Sequence, residues 1–310
     1  MNTMLRFAIV LGCLFAPATT FAQSKAKLEK NAKEPKPGEE RVFNVGNNVK
    51  MTFCWIPGTN GKATLGSPEG EAVRDKNAEK EHEVELDGFW MAKTEMTQSQ
   101  YVKLTGKKNP SFFSANGKGK DFVKGIKTDD FPVEGVSWDD AQECIKRIKV
   151  SSEEAKRIGL PSEAQWEWAC RGGKGNGRAF YFGDILNGDQ ANCDGSMPYG
   201  TTTKGANLRR TEKVGSYAAK APHPWGLCDM HGNVFEMCED WGGDYRDLPN
   251  GKNPVQTLKA TGGWTDVRVM RGGCWIEASS CRSAHRNGTP TGGERGDHYT
   301  GFRIVLIPRD

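Results

Sequence analysis

Nine cysteines and five histidines are the most reactive side chains in this 310-residue protein, and their spacing limits what they can do. No two cysteines form a CxxC pair, the histidines (His82, His223, His231, His285, His298) are scattered, and no HExxH occurs. Structural zinc and zincin-type hydrolysis are therefore not expected. Neither a Ser/His/Asp arrangement, nor a P-loop, nor a dinucleotide fingerprint is present. Cys13 lies in an apolar leader, and the other eight cysteines (Cys54, Cys144, Cys170, Cys193, Cys228, Cys238, Cys274, Cys281) form an even set. In an oxidising compartment an even set favours some disulfides. Arg282, His285 and Arg286 make a cationic face near Trp275 that could take an anionic or aromatic ligand. Pairing of such arginines with buried carboxylates is the commoner arrangement in loop-rich folds.

Three helices must position these groups. Thr97-Gln98-Ser99-Gln100, Ser137-Trp138-Asp139-Asp140 and Ser162-Glu163-Ala164-Gln165 each place an N-cap hydroxyl three residues before a side chain that can reach back to the cap. Met96 can staple onto Tyr101 in the first, which Gly106 ends; Ala141, Ile145 and Ile148 carry the second through Lys149; Gly172-Gly173 stop the third. Strands are expected over Met51–Ile56, Glu83–Met96, Val267–Met270 and Thr300–Ile307. Between residues 171 and 300 glycines and polar turn residues are too dense for long elements.

Residues 1–22 read as a secretory signal: Arg6, the apolar run Phe7–Ala16, and Thr20-Phe21-Ala22 as a small-residue cleavage site. Ten apolar residues cannot span a bilayer, which takes ~20. Val10-Leu11-Gly12-Cys13 offers a lipobox, so a lipoprotein anchored at Cys13 is the alternative to a secreted or periplasmic protein. Residues 23–40, with alternating charge and two prolines, read as a flexible tether, and residues 41–310 as one domain. A net charge of +4, spread along the chain, argues against nucleic-acid or anionic-membrane partners.

An ordered series of motifs then points to a family. WIPGTNGKATLGSPEGE (55–71), HEVELDGFWMAKTEMTQSQY (82–101), NPSFF (109–113), FPVEGVSWDDAQ (131–142), LPSEAQWEWACRGG (160–173), WGLCDMHGNVFEMCEDW (225–241), RGGCW (271–275), CRSAHRN (281–287) and GFRIVL (301–306) occur in the order found in the formylglycine-generating-enzyme, or sulfatase-modifying-factor, superfamily. The resemblance implies an α+β fold related to C-type lectins with little regular secondary structure, which the glycine content (38 residues) suits.

Fold does not fix function in this superfamily, which includes copper-dependent oxidases, iron-dependent sulfoxide synthases and members without known catalysis. The oxidases carry two copper-binding cysteines after the RGGS segment, and those positions fall on Glu277 and Arg282 here. Cys274 and Cys281 are the nearest sulfurs, seven residues apart rather than five, so they are weak catalytic candidates and copper is not expected. The resemblance places Cys170 at a disulfide position whose partner would be Ser283, and it suggests Cys281 as the substitute partner if the segment is extended. It also implies a Ca²⁺ site made by Asp229, Gly232, Val234 and Glu236, mixing carboxylates with carbonyls. Trp275, Arg282 and Arg286 are candidates for a ligand cleft. The leading expectation is an exported domain that binds a protein or small-molecule ligand without formylglycine chemistry. The alternative is a copper-dependent oxidase acting on cysteine in exported sulfatases, with another cofactor-dependent oxidase third.

Overall fold

All three capping boxes form. In the computed structural model, which describes residues 34–151, 154–243, 251–259, 266–291 and 297–309, the helices are α1 (Gln98–Thr105), α2 (Trp138–Arg147) and α3 (Glu163–Arg171). Thr97, Ser137 and Ser162 each accept from the N3 amide while the N3 side chain bonds back to the cap. Gly106 and Gly172 end α1 and α3 in the left-handed conformation. These signals act within one turn, so the sequence reveals them directly. The signal expected over residues 1–22 and most of the tether lie outside the described residues. Residues Lys36–Asp310 form one unit; Gly38 N donates to Trp55 O and Trp55 N to Glu39 O (both 2.9 Å), so it begins a few residues before the boundary expected from composition.

A five-stranded antiparallel sheet carries the main core. Its order is β1 (Glu40–Asn44), β2 (Lys50–Ile56), β5 (Phe89–Ala92), β11 (Val305–Ile307) and β6 (Arg157–Gly159). A four-stranded sheet has the order β10 (Thr300–Gly301), β7 (Phe235–Trp241), β8 (Val267–Arg271) and β9 (Asn287–Pro290), with β10 parallel to β7. A separate antiparallel pair joins β3 (Ala63–Leu65) to β4 (His82–Val84). One face of the large sheet buries Phe43, Phe53, Trp55 and Trp90 against Tyr101, Ile145 and Phe302, and Trp166 and Trp168 of α3 lie in a second cluster with Met91 and Val305. Alternate residues of β2 and β5 thus serve different clusters.

Two of the expected strands are interrupted. The run over residues 83–96 splits into β4 and β5, which join different sheets. The run over residues 300–307 splits into β10 and β11, and Arg303 in the gap turns its side chain inward to Glu236. Hydrophobic alternation predicted extended backbone at both places and could not show where the chain changes sheet.

Candidate functional site

The segment after β8 holds the candidate catalytic cysteines. Cys274 pairs through its backbone with Glu277, and a short 3₁₀ turn, Ser279–Cys281, follows. The Cys281 thiol is fully buried and donates to the carbonyls of Glu277 (3.2 Å) and Cys274 (3.7 Å). Burial pushes the Cys274 thiol up to about 12 and holds the Cys281 thiol far above the ordinary range. Both are therefore neutral thiols at physiological pH, not thiolates. Glu277 is exposed, and its carboxylate accepts the Ser279 hydroxyl.

The expected Cys170–Cys281 bridge is not formed. All eight described cysteines are free. The Cys170 thiol faces Ser283 Oγ (3.7 Å) and the ring of His231 (3.7 Å to Nε2), while the Cys281 thiol faces the Cys274–Glu277 turn. The expectation assumed an extended segment in which residues 281 and 283 share a side; the 3₁₀ turn at 279–281 rotates Cys281 away. Cys170 meets the residue at the resembling register, and that residue is a serine.

Arg282 and Arg286 do not line a cleft, which corrects the second expectation. Arg282 bonds Glu79 with both terminal nitrogens (2.7 and 2.8 Å), Glu71 at 2.5 Å and the Ser279 carbonyl at 3.1 Å. Arg286 grips both oxygens of Glu163 (2.6 and 2.7 Å) and the Gly243 carbonyl. Arg271 and Arg171 hold Glu167 in the same manner. Each guanidinium is a buried, multiply bonded cation that ties distant segments together. Arg282 connects the 3₁₀ turn to the loop between β3 and β4, more than 200 positions earlier in the chain.

Trp275 is half-buried and belongs to an aromatic cluster with Phe112, Phe113 and His298. Phe112 and His298 stack at 4.8 Å with a 31° tilt, and Trp275 lies 5.8 Å from His298. Beside them opens a groove of about 440 Å³, walled by Lys108, Ser111, Phe112, Lys118, Asp297 and His298. The 108–119 loop that forms it is held from beneath. Glu134, fully buried, accepts the amides of Phe112 (3.0 Å) and Phe113 (2.9 Å) on its two carboxylate oxygens. Asn109 bonds Gln98 of α1, and Gln98 bonds the Phe113 carbonyl. A β-carbon at Gly117 would lie 2.2 Å from the Phe112 carbonyl oxygen, so only glycine lets the loop close on itself. The groove is thus a preformed surface.

The expected calcium segment folds into a tight turn after Cys228. Asp229 and Asn233 are left-handed (φ 56° and 66°), as is Gly232, where a β-carbon would lie 2.3 Å from the Asn192 carbonyl oxygen. Glu236 is taken by Arg303, whose Nε and Nη2 both reach it at 2.5 Å, and by Trp166 Nε1 at 2.8 Å. Among the described residues, two acidic groups at this turn have no salt-bridge partner, Asp229 and Glu95, the latter at the start of the segment before α1. Glu95 accepts from Asn233 on Oε1, its Oε2 is buried with no hydrogen-bond partner, and its carboxyl faces Asp229. Burial, then the neighbouring Asp229, drives Glu95 well above the carboxylate range; burial likewise raises Asp229 to about 6. Three carboxylates against one guanidinium leave negative charge that a divalent cation can neutralise, and the orphaned Glu95 oxygen fits that role. Among the described residues no three Asp, Glu, His or Cys side chains converge on one point. The expected set needs only two carboxylates, with main-chain carbonyls completing it.

Residues 44–307 match the family described as the sulfatase-modifying factor enzyme 1-like domain, most of the chain. The chain belongs to this family. It is 31% identical over 243 residues, 73% of this chain and 34% of the other, to serine/threonine-protein kinase pkn1 of Chlamydia caviae. It is 36% identical over 152 residues, 47% of this chain and 42% of the other, to the formylglycine-generating enzyme of Streptomyces coelicolor. The chain thus spans well under two thirds of the length of these relatives. The solved structure of PvdO from Pseudomonas aeruginosa superposes with a TM-score of 0.65 at 24% identity, over 88% of this chain and all of that one. The fold is the α+β, C-type-lectin-like one that the sulfatase-modifying-factor resemblance implied.

Of the residues expected from the sequence, Trp275 lies beside the groove and Asp229 and Glu236 share one turn. Sequence reasoning missed Glu95, Glu134 and the groove residues Lys108, Phe112, Lys118 and His298. Glu134 does carry a signal in retrospect: it is a lone carboxylate inside the mostly apolar stretch FPVEGVS, whereas Glu95 sits among Lys93, Thr94 and Thr97 and carries none. A single acid in a buried run is expected to have a dedicated partner.

Proposed function

We propose that this chain is an exported binding domain of the sulfatase-modifying-factor family that recognises its ligand in the groove beside Trp275 and does not oxidise cysteine. One observation carries the reading. The two sulfurs closest to the oxidases' copper positions are buried thiols, that of Cys281 donating to two carbonyls, while a preformed groove walled by Phe112 and His298 opens beside Trp275. Copper chemistry of the oxidase kind needs a pair of thiolates, and neither exposed Glu277 nor salt-bridged Arg282 offers a soft ligand. These residues do not fit the metal. Export is supported by the leader and cleavage pattern of residues 1–22.

Calcium is part of the proposal as a structural ion. Asp229 and the carbonyls of Gly232 and Val234 would hold it, with Glu95 and Glu236 supplying charge; bound there, it would neutralise the buried acids and lock the 229–236 turn to the segment before α1.

The oxidase alternative is tested by incubating the protein with Cu(I), O₂ and a CxPxR peptide and following the peptide by mass spectrometry. The expected outcome is unmodified cysteine in every sample. Conversion to formylglycine that disappears in Cys274→Ser or Cys281→Ser would overturn the reading.

A further inference from the structure

We infer that the groove beside Trp275 takes an acidic peptide segment, an inference that rests on the groove being the binding site and names the class of its ligand. The evidence is the placement of charge. Residues 103–127 contain seven lysines (103, 107, 108, 118, 120, 124, 127), no arginine and a single acid, Asp121. That stretch carries 7 − 1 = +6, whereas the whole chain carries +4, so the rest of the protein sums to 4 − 6 = −2. With the adjoining Asp129 and Asp130 included, residues 103–130 still carry 7 − 3 = +4, as much as the whole chain, and residues 108–118 of this region build one side of the groove.

The lysines are available. Lys107 is committed to Asp140 (3.1 Å) and Glu143 (2.6 Å). The other six make no ion pair among the described residues and are exposed. Lys108 and Lys118 stand on the groove itself. The acid on the opposite wall, Asp297, already receives the Tyr299 hydroxyl and caps Thr300 through its carbonyl. Beyond the groove, Phe122 is 49% exposed and Ile126 38%, both within the basic stretch, so the surface alternates ammonium groups with apolar side chains. Clusters of one charge sign around an apolar floor attract and orient an oppositely charged partner.

A peptide fits this surface better than a nucleic acid does. Phosphate recognition favours the planar fork of arginine, and the stretch has none. Single-stranded bases need open ring faces to stack on, whereas Phe112, His298 and Trp275 pack against one another at 4.8 and 5.8 Å. Lysines at the rim suit separately placed carboxylates, and the edge of Phe112 on the groove wall suits an apolar residue among them.

The test is fluorescence anisotropy with the full chain and three labelled ten-residue peptides sharing one central Phe: a Glu/Asp-rich sequence, its Lys-rich reversal and a Ser/Gly-rich neutral one. A ten-nucleotide single-stranded DNA is the fourth probe. The acidic peptide is expected to bind more than tenfold tighter than the other two peptides. Its binding should weaken at least tenfold in K108E/K118E, at least fivefold in F112A, and steeply between 50 and 300 mM NaCl, with circular dichroism showing all variants folded. Binding of the acidic peptide that is indifferent to K108E/K118E, or DNA binding of equal strength, overturns the inference. If the neutral or basic peptide binds instead and is lost in F112A, the groove stands as the binding site and the acidic class falls. If no peptide binding responds to F112A, both readings fall.

Discussion

Replacing Glu134 by glutamine tests how the groove is held, because this carboxyl does its work without a cation. It is fully buried, and the Phe112 and Phe113 amides are its hydrogen-bond donors. Burial pushes its pKa up from 4.5 to about 7, against the opposing pull of those two amides. Below pH ~4.5 both folded and unfolded chains hold this proton. Between 4.5 and 7 the folded protein keeps it while the unfolded chain releases it, so stability falls as pH rises; above 7 both are ionised and the loss is complete. The loss is on the order of 3 kcal/mol, from ~2.5 pKa units at 1.36 kcal/mol each.

Glu134→Gln cannot titrate and escapes this fall, but its amide nitrogen must face one of the two backbone N–H groups, which costs about 1–3 kcal/mol. The variant is therefore expected to be less stable than the parent at pH 5 and to close the gap by up to about 3 kcal/mol at pH 8. Asp229 and Asp240, raised to about 6 and about 7 by burial, titrate in both proteins and cancel in the difference. Urea unfolding of the pair at half-unit steps from pH 5 to 8 measures the gap. A gap that stays constant with pH, or widens as pH rises, would refute the buried-carboxyl argument.

Three further outcomes are expected. Chelation of Ca²⁺ should lower the melting temperature of the parent and leave Asp229→Asn unmoved, with Glu95→Gln intermediate; equal responses in all three proteins would remove the ion from the 229–236 turn. Alkylation under denaturing, non-reducing conditions should label both Cys170 and Cys281, and peptide mapping that instead recovers them cross-linked would restore the bridge. Arg282→Met should destabilise the fold by roughly 3–5 kcal/mol, because it strands Glu79 and Glu71 in the interior, while Glu277→Ala on the exposed turn should cost under ~0.5 kcal/mol. Similar melting temperatures for these two variants would mean that Arg282 does not tie the segments together.

The parts of this fold that are legible in the sequence are those fixed by neighbours in the chain. Thr97, Ser137 and Ser162 announce their helices because the cap and its partner are three residues apart. Reading fails where the deciding partner is remote. Pairing of Arg282 and Arg286 with buried carboxylates is foreseeable, but the partners, Glu79 and Glu163, lie 203 and 123 positions away and cannot be picked out. Cys281 looks like a bridge partner as long as the segment is taken as extended, and the 3₁₀ turn is set by packing under Gly273, whose Cα side has Cys281 against it. The groove is the extreme case, since its walls come from residues 108–118, 135 and 297–298 and no local pattern links them.

Why the fold is retained while the oxidase positions change follows from where the sulfurs sit. With a pKa near 12, ionising Cys274 at pH 7 costs about 7 kcal/mol, from ~5 units at 1.36 kcal/mol each. Burial also holds the Cys281 thiol well above the ordinary range, and it faces two carbonyls. Lowering that cost would require opening the turn over Cys281 or placing a cation beside it, and the nearest cation, Arg282, is already held by Glu71 and Glu79. The same bonds tie the 279–282 turn to the loop between β3 and β4. Forming thiolates at Cys274 and Cys281 would therefore compete with the charge pairs that close this segment.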